Sequence, residues 1–156
     1  MGSNPSYVAS LSDTPVGPVS VVVSGGAVVR LEWAVLAGVP DTVALQAIAQ
    51  LADYFAGKRQ VFALPLAPQG SDFQLKFGKA LLAIPFGETR TYGDLAATLG
   101  VSAQAIGQAC GANPIAILIP CHRVLGASNL GGFSGAGGVD AKVQLLRLEG
   151  AASLLI

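Results

Sequence analysis

The sequence is poor in charge. Only 12% of its 156 residues are Asp, Glu, Lys or Arg, and nine of each sign cancel to a formal net charge of zero. Lys and Arg contacts to phosphate normally supply most non-specific affinity for nucleic acid. From Ser71 onward six cations (Lys76, Lys79, Arg90, Arg123, Lys142, Arg147) meet five anions (Asp72, Glu88, Asp94, Asp140, Glu149), which makes no basic patch. Any grip on nucleic acid must lean on backbone amides, helix N-termini and a few placed cations. Histidine and cysteine are scarce too, one and two residues respectively. That set cannot close a four-ligand zinc site, and two cysteines make no disulfide framework. No metal and no cofactor are expected. No apolar run reaches the roughly 18 residues that cross a membrane, and no basic region followed by an apolar one marks a secretory signal. No membrane partner is expected.

What is present is concentrated in one stretch, Asn113-Pro114-Ile115-Ala116-Ile117-Leu118-Ile119-Pro120-Cys121-His122-Arg123-Val124. It holds the only histidine, one of the cysteines, and an apolar run leading into both. A lone cysteine in such a run is usually a small core residue. Three features weigh against that here. Pro120 breaks the run just before Cys121, so the thiol belongs at a turn. His122 and Arg123 follow at once, and neither suits a core without a partner. A glycine-rich loop, Gly131 to Gly138, comes soon after and allows close backbone approach to a ligand. A thiolate is the nucleophilic form of cysteine, and a neighbouring imidazole or positive charge lowers its pKa. A reactive thiol needs a reducing compartment, which points to the cytoplasm.

The rest of the chain reads as an α+β arrangement. Residues Thr14 to Trp33 carry strands, with Val19 to Val23 β-branched, a turn at Ser24-Gly25-Gly26, and alternation from Ala27 to Trp33. Asp41 caps a helix over Thr42 to Ala56, with Leu45, Ile48, Ala49, Ala52 and Phe55 as its apolar stripe. Pro65, Pro68 and Gly70 mark an extended linker. Ser71 and Gln74 fit a capping box, opening a helix that carries Phe73, Phe77, Ala80, Leu81 and Ile84 inward. Thr91 caps a helix over Tyr92 to Leu99, and Ser102 caps another through about Gly111, with Ala105, Ile106 and Ala109 apolar. The tight Gly100 turn makes these two a helix-turn-helix pattern. Cys110, in the second helix, reads as a structural thiol. Residues His122 to Leu125 read as a short strand or turn, and Val139 to Leu148 as a final helix. The domain reading is 1–64 for a small antiparallel sheet with a helix, 65–70 for the linker, and 71–156 for a mostly helical domain with the helix-turn-helix and Cys121.

The Pro-Cys-His-Arg-Val centre, with Asn113 before it and Ile84 to Tyr92 upstream, resembles the signature of the O6-alkylguanine-DNA alkyltransferases. The resemblance covers about Thr14 to Gly150. It implies direct DNA repair, in which one alkyl group moves from guanine O6 to the protein's own cysteine and each molecule reacts once. The implied partner is double-stranded DNA carrying O6-alkylguanine, met by a monomer. The implied catalytic set is Cys121, His122 and Glu149, in a relay running from cysteine through water to histidine and glutamate. Asn113 holds the turn into the cysteine stretch, and Tyr92 gives a hydrogen bond or proton to the base ring. For substrate binding the resemblance implies the Cys121 and Val124 carbonyls on the guanine amino group, the Ser134 amide on O6, and Phe133 packed on the base. Thr91, Ser102, Ala103, Gln104, Gly107 and Arg123 are the implied DNA contacts. The family fills the gap left by the flipped nucleotide with an arginine from the second helix, entering through the minor groove. Gln104 stands at that place, so weaker DNA binding is expected. Gly78 replaces a tryptophan usual in the family.

Three rivals accompany this reading. A lesion-binding protein without transfer lacks the cysteine in related alkyltransferase-like proteins, whereas Cys121 is present. A cysteine hydrolase would need an oxyanion hole, and none is evident. An engineered self-labelling tag of the same family would suit the loss of the arginine.

Overall fold

Gly25 and Gly26 both adopt left-handed backbone, φ +61° and +80°. Two such residues in succession make the tight turn whose twist matches paired strands. They join strand β2 (Val19–Ser24) to β3 (Ala27–Glu32), and β1 (Ser6–Leu11) pairs antiparallel on the other side, giving the order β1-β2-β3. The structure, a computed structural model, describes residues 5–127, 130–132 and 138–151. It divides into two compact units, 1–69 and 70–156.

In the first unit, α1 (Thr42–Phe55) begins at the expected Asp41 cap, whose carboxylate accepts the Ala44 amide at 2.8 Å. The face it buries is not the expected one. Ala44, Ala47, Leu51 and Tyr54 are buried, while Leu45 is 56% exposed. Both rows are apolar at helical spacing, and the row with two alanines lets the helix lie close to the strands. Burial of Val19, Val21, Val23, Val28, Leu31 and Leu51 stabilises this unit by about 1.5–3 kcal/mol per side chain. The expected linker also takes part. Pro65 and Ala67 exchange backbone hydrogen bonds with Val28 at 2.9 and 2.8 Å.

The second unit is mostly helical. Helix α2 (Asp72–Leu82) starts at Ser71, whose hydroxyl accepts the Gln74 amide. The Gln74 side chain does not complete the expected box. Its amide donates instead to the Ala109 carbonyl at 2.9 Å, tying α2 to α4. Phe77, Leu81 and Ile84 are buried, as the helical spacing requires. Thr91 and Asp94 form a reciprocal capping box at the start of α3 (Tyr92–Leu99). Gly100, at φ +70°, ends α3, and Ser102 caps α4 (Ala103–Gly111). Leu95, Ala96, Ile106 and Ala109 close the seam between these helices.

The segment from Asn113 to Pro120 is a buried, knotted turn. Asn113 accepts the Ile115 amide and donates to the Ile119 carbonyl at 2.8 Å. Ile117 sits at φ +71°, a left-handed conformation that a β-branched residue rarely takes, and Ala116–Leu118 and Ile115–Ile119 hydrogen bonds hold it there. A single turn of 3₁₀ helix follows over Cys121–Arg123. The chain then runs into β5 (Val124–Leu125), which pairs parallel with β4 (Arg90–Thr91). That pairing ties the exit of the cysteine turn to the residue before Tyr92. Helix α5 (Val139–Leu148) packs Leu145 and Leu146 inward and delivers Lys142 and Glu149 to the same interior.

Candidate active site

Cys121 is the first residue of the 3₁₀ turn, placed there because Pro120 cannot continue the preceding backbone ladder. Its side chain is 4% exposed and forms part of the wall of a cavity of about 580 Å³. Tyr92, Ala103, Gln104, Gly107, Cys110, Gly111 and Gly132 complete the lining. Such a volume falls in the range that encloses a whole ligand rather than a single alkyl group. Burial pushes the Cys121 thiol above its ordinary range, and a hydrogen bond from Asn113 and the nearby Lys142 ammonium pull the other way.

His122 is fully buried. Its Nε2 lies 2.7 Å from Glu149 Oε2. With Glu149 ionised, Nε2–H donates and Nδ1 is left as the acceptor. Nδ1 is buried and has no hydrogen-bond partner among the described residues. Burial is the largest influence on this imidazole and lowers its pKa; Glu149 opposes, while Arg123 and Lys142 add to the lowering. His122 is therefore neutral near pH 7 and available as a base.

Arg123 departs from expectation. It is 7% exposed and points inward, so it is not placed on a DNA-facing surface. Its Nε donates to Glu149 Oε1 at 2.8 Å and its Nη2 to Oε2 at 3.0 Å, while Nη1 reaches the Ile84 carbonyl at 2.7 Å. The cause is the buried carboxylate. A charge held out of water needs an opposite charge with matched geometry, and a guanidinium fits both oxygens at once.

Lys142 was invisible in the sequence as a site residue and is 1% exposed. Its ammonium donates to the Val124 carbonyl at 2.7 Å and the Gly132 carbonyl at 3.1 Å, and lies 5.8 Å from the centre of the Tyr92 ring. Burial pushes its pKa below the usual lysine range. A signal did exist. At helical spacing Lys142 shares a face with Leu145, Leu146 and Glu149. The carbonyl expected to receive the guanine amino group thus already accepts a hydrogen bond from Lys142, although its second lone pair remains.

Tyr92 opens α3 and forms part of the cavity wall. Burial raises its pKa, so the phenol stays protonated as a donor. The backbone at Gly131, φ +71°, passes so close that an added Cβ would overlap the Tyr92 hydroxyl. Cys110 shares the cavity wall with Cys121, which the structural-thiol reading did not anticipate. Burial and the neighbouring Cys121 push its pKa to about 12, so it stays a thiol. Of the expected DNA contacts, Ala103, Gln104 and Gly107 stand together on the exposed side of α4 and line the cavity mouth. Ser102 is exposed at the cap of α4, and Thr91 is half-buried at the cap of α3. Phe133 and Ser134 lie outside the described residues.

The model of the 6-O-methylguanine DNA methyltransferase DNA-binding domain matches residues 72–151. A methylated-DNA–protein-cysteine methyltransferase from Mycobacterium tuberculosis is 43% identical over 148 residues, 88% of each chain. The chain belongs to this methyltransferase family. A relative of the same description from Methanosarcina acetivorans is 49% identical over 108 residues, covering 67% of this chain and 68% of its own length. Among solved structures, that of M. tuberculosis OGT in complex with DNA matches with a TM-score of 0.82 at 40% identity over 93% of each chain. The more distant O6-methylguanine-DNA methyltransferase of Pyrococcus kodakaraensis matches at 0.60 and 27% identity. Every described side chain of the site, from Tyr92 to Glu149, falls inside the matched methyltransferase span.

Proposed function

We propose that this chain repairs O6-alkylguanine in double-stranded DNA by moving the alkyl group onto Cys121, once per molecule. The observation that carries this is a thiol in the cavity wall followed in the chain by a fully buried imidazole that Glu149 holds by Nε2. Free cysteine is only a few per cent ionised at pH 7, so the site must remove the proton during reaction. His122 Nδ1 takes it, directly or through water, and Glu149 stabilises the resulting imidazolium. The sulfur attacks the alkyl carbon, the carbon–O6 bond breaks, and its electron pair goes to the guanine. A proton from the Tyr92 hydroxyl neutralises the base, and the proton taken up by His122 returns to the phenolate through water. The products are S-alkylcysteine and unmodified guanine. A thioether gives this site nothing to hydrolyse, and no cofactor enters the balance.

Access requires that the nucleotide leave the duplex, at a cost of a few kcal/mol that a weakened damaged pair reduces. We assign the entry to α4. Ala103 and Gly107 permit close approach to a minor groove, and Gln104 fills the space of the displaced nucleotide. Val124, Phe133 and Ser134 are assigned to the base as the family resemblance implies. DNA binding and transfer belong to residues 71–156, and residues 1–64 receive no chemistry. The protein works as a monomer, in a reducing cytoplasm that keeps the thiol free.

Intact-mass measurement after incubation with duplex DNA carrying O6-methylguanine tests the reading. One added methyl, mapped to Cys121 and absent in Cys121→Ala, is expected. Binding to that DNA with no added mass would replace transfer by lesion recognition, and repeated turnover of an ester would favour a hydrolase.

A further inference from the structure

Arg123 is held by three groups in a geometry that DNA binding does not explain. Its guanidinium occupies both oxygens of Glu149, and its third nitrogen is anchored on the Ile84 carbonyl at the end of α2. The Phe86 ring lies against it, with the guanidinium carbon 5.9 Å from the ring centre. We propose that Arg123 is a positioning residue for alkyl transfer, which locks the Glu149 carboxylate in the orientation that gives His122 its Nε2–H, Nδ1-acceptor form. The inference rests on the alkyl-transfer reading above and deepens it.

The argument starts from what His122 alone could do. Glu149 follows the last turn of α5 and has a flexible side chain. One hydrogen bond from Nε2 fixes one oxygen and does not by itself set the plane of the carboxylate. A rotated carboxylate presents a poorer acceptor, and the neutral imidazole then has no reason to prefer one tautomer. The planar fork of Arg123 removes that freedom, because both donors point along fixed directions. The anchor on Ile84 carries the orientation back to the backbone between α2 and β4.

Charge works in the same direction. The charged groups acting on this imidazole are Glu149 from the end of α5, Lys142 from the middle of α5, and Arg123 from its own turn, where Cys121 is the preceding residue. One carboxylate already balances one guanidinium. A proton on His122 would set a second cation on the same carboxylate, in a buried site that also holds the Lys142 ammonium. Burial does most to keep the resting imidazole neutral, and Arg123 and Lys142 add to it, so the ring is able to accept the Cys121 proton when substrate arrives.

Lysine at this position keeps the charge but cannot hold two oxygens, which makes Arg123→Lys the decisive variant. Because the chain has one histidine, nitrogen-15 NMR of the imidazole reads its tautomer and titration without ambiguity. In the natural chain the spectrum is expected to show Nε2–H alone, with protonation below the usual histidine range. In Arg123→Lys a mixture of tautomers is expected, and single-turnover methyl transfer slows by on the order of tenfold or more. Affinity for undamaged duplex is expected to stay within about twofold, since the side chain is buried. Glu149→Gln is the second variant, for the case in which Arg123→Lys does not fold. It keeps a hydrogen-bond acceptor but loses the ionic fork, and the same tautomer mixture is expected.

An unchanged tautomer and unchanged rate in folded Arg123→Lys would overturn the inference. So would a slower rate with the tautomer and pH profile intact, which is the mark of a merely structural role. Loss of DNA affinity in step with rate would return Arg123 to the DNA surface. If the natural chain takes up no methyl at all, the alkyl-transfer reading fails, and the NMR comparison still decides whether Arg123 sets the His122 tautomer.

Discussion

The floor beneath Cys121 and the rim above it are built on opposite principles. The floor is charged and dry, with His122, Arg123, Lys142 and Glu149 all buried. The rim is uncharged and open, with Ala103, Gln104, Gly107 and Gly111 around the cavity mouth. Outside the floor, the second unit's remaining charges are Lys76, Lys79, Arg90 and Arg147 against Asp72, Glu88, Asp94 and Asp140, an even balance. Electrostatics are stronger where water is excluded, by several-fold at the same separation. The molecule keeps its unbalanced and geometrically matched charges where they act on the thiol and the imidazole. The α4 rim proposed to meet DNA offers shape and small side chains instead.

The sharpest way to break the contrast is to empty the floor. Glu149→Ala leaves the Arg123 guanidinium buried without its counter-charge, and such removals cost about 3–5 kcal/mol. That is a large part of the 5–15 kcal/mol typical of a folded domain, so the urea midpoint should fall steeply and transfer should be lost. Lys142→Met comes next. It keeps the packing but leaves the Val124 and Gly132 carbonyls without this donor, at about 1–3 kcal/mol for the pair. Single-turnover transfer should slow while affinity for undamaged duplex stays the same; unchanged transfer would remove Lys142 from the site.

Acid probes the floor more gently. Burial holds the His122 pKa below its unfolded value of about 6.5, so the unfolded chain binds the proton more readily. Stability is full above that value. It declines as pH falls from about 6.5 toward the folded pKa, by at most about 1.4 kcal/mol per pH unit. Urea unfolding at pH 7.5 and 5.5 should show the loss, and a flat profile would mean that the imidazole is not held neutral.

The rim should respond least. Gln104→Arg adds one cation at the cavity mouth, and the slope of log affinity against log salt should steepen by about 0.9 if it reaches a phosphate. Methyl transfer to Cys121 at saturating DNA should hardly change. A variant that weakens binding instead would move the DNA contact away from α4.

Much of this was legible because it is local. Four of the five described helix N-caps, Asp41, Ser71, Thr91 and Ser102, sit where a short polar side chain precedes an apolar period, and each accepts an amide of the first turn. The hairpin at Gly25-Gly26 is equally local. Three of the misreadings share one cause, which is pairing at long range. Arg123 meets a carboxylate 26 residues away, Lys142 a carbonyl 18 residues away, and Gln74 a carbonyl 35 residues away. A charged or amide side chain reads as solvated until its partner is known. The α1 face failed differently, since two adjacent rows were apolar and only contact with the sheet could choose between them. The β4–β5 pair escaped notice because two-residue strands carry no period.

The glycines in and beside the cavity wall divide into two kinds, and the division maps where the protein can be remodelled. At Gly107, Gly111 and Gly132 an added methyl would meet nothing within 4 Å. At Gly131 it would strike the Tyr92 ring and its hydroxyl, on a backbone that side chains resist. The first three are open sites for narrowing the pocket to smaller lesions or reshaping it for synthetic guanine derivatives. Gly131 is closed to that kind of variation, because any side chain there displaces the Tyr92 phenol of the cavity wall. A library aimed at new substrates gains by varying the α4 glycines and leaving residue 131 alone.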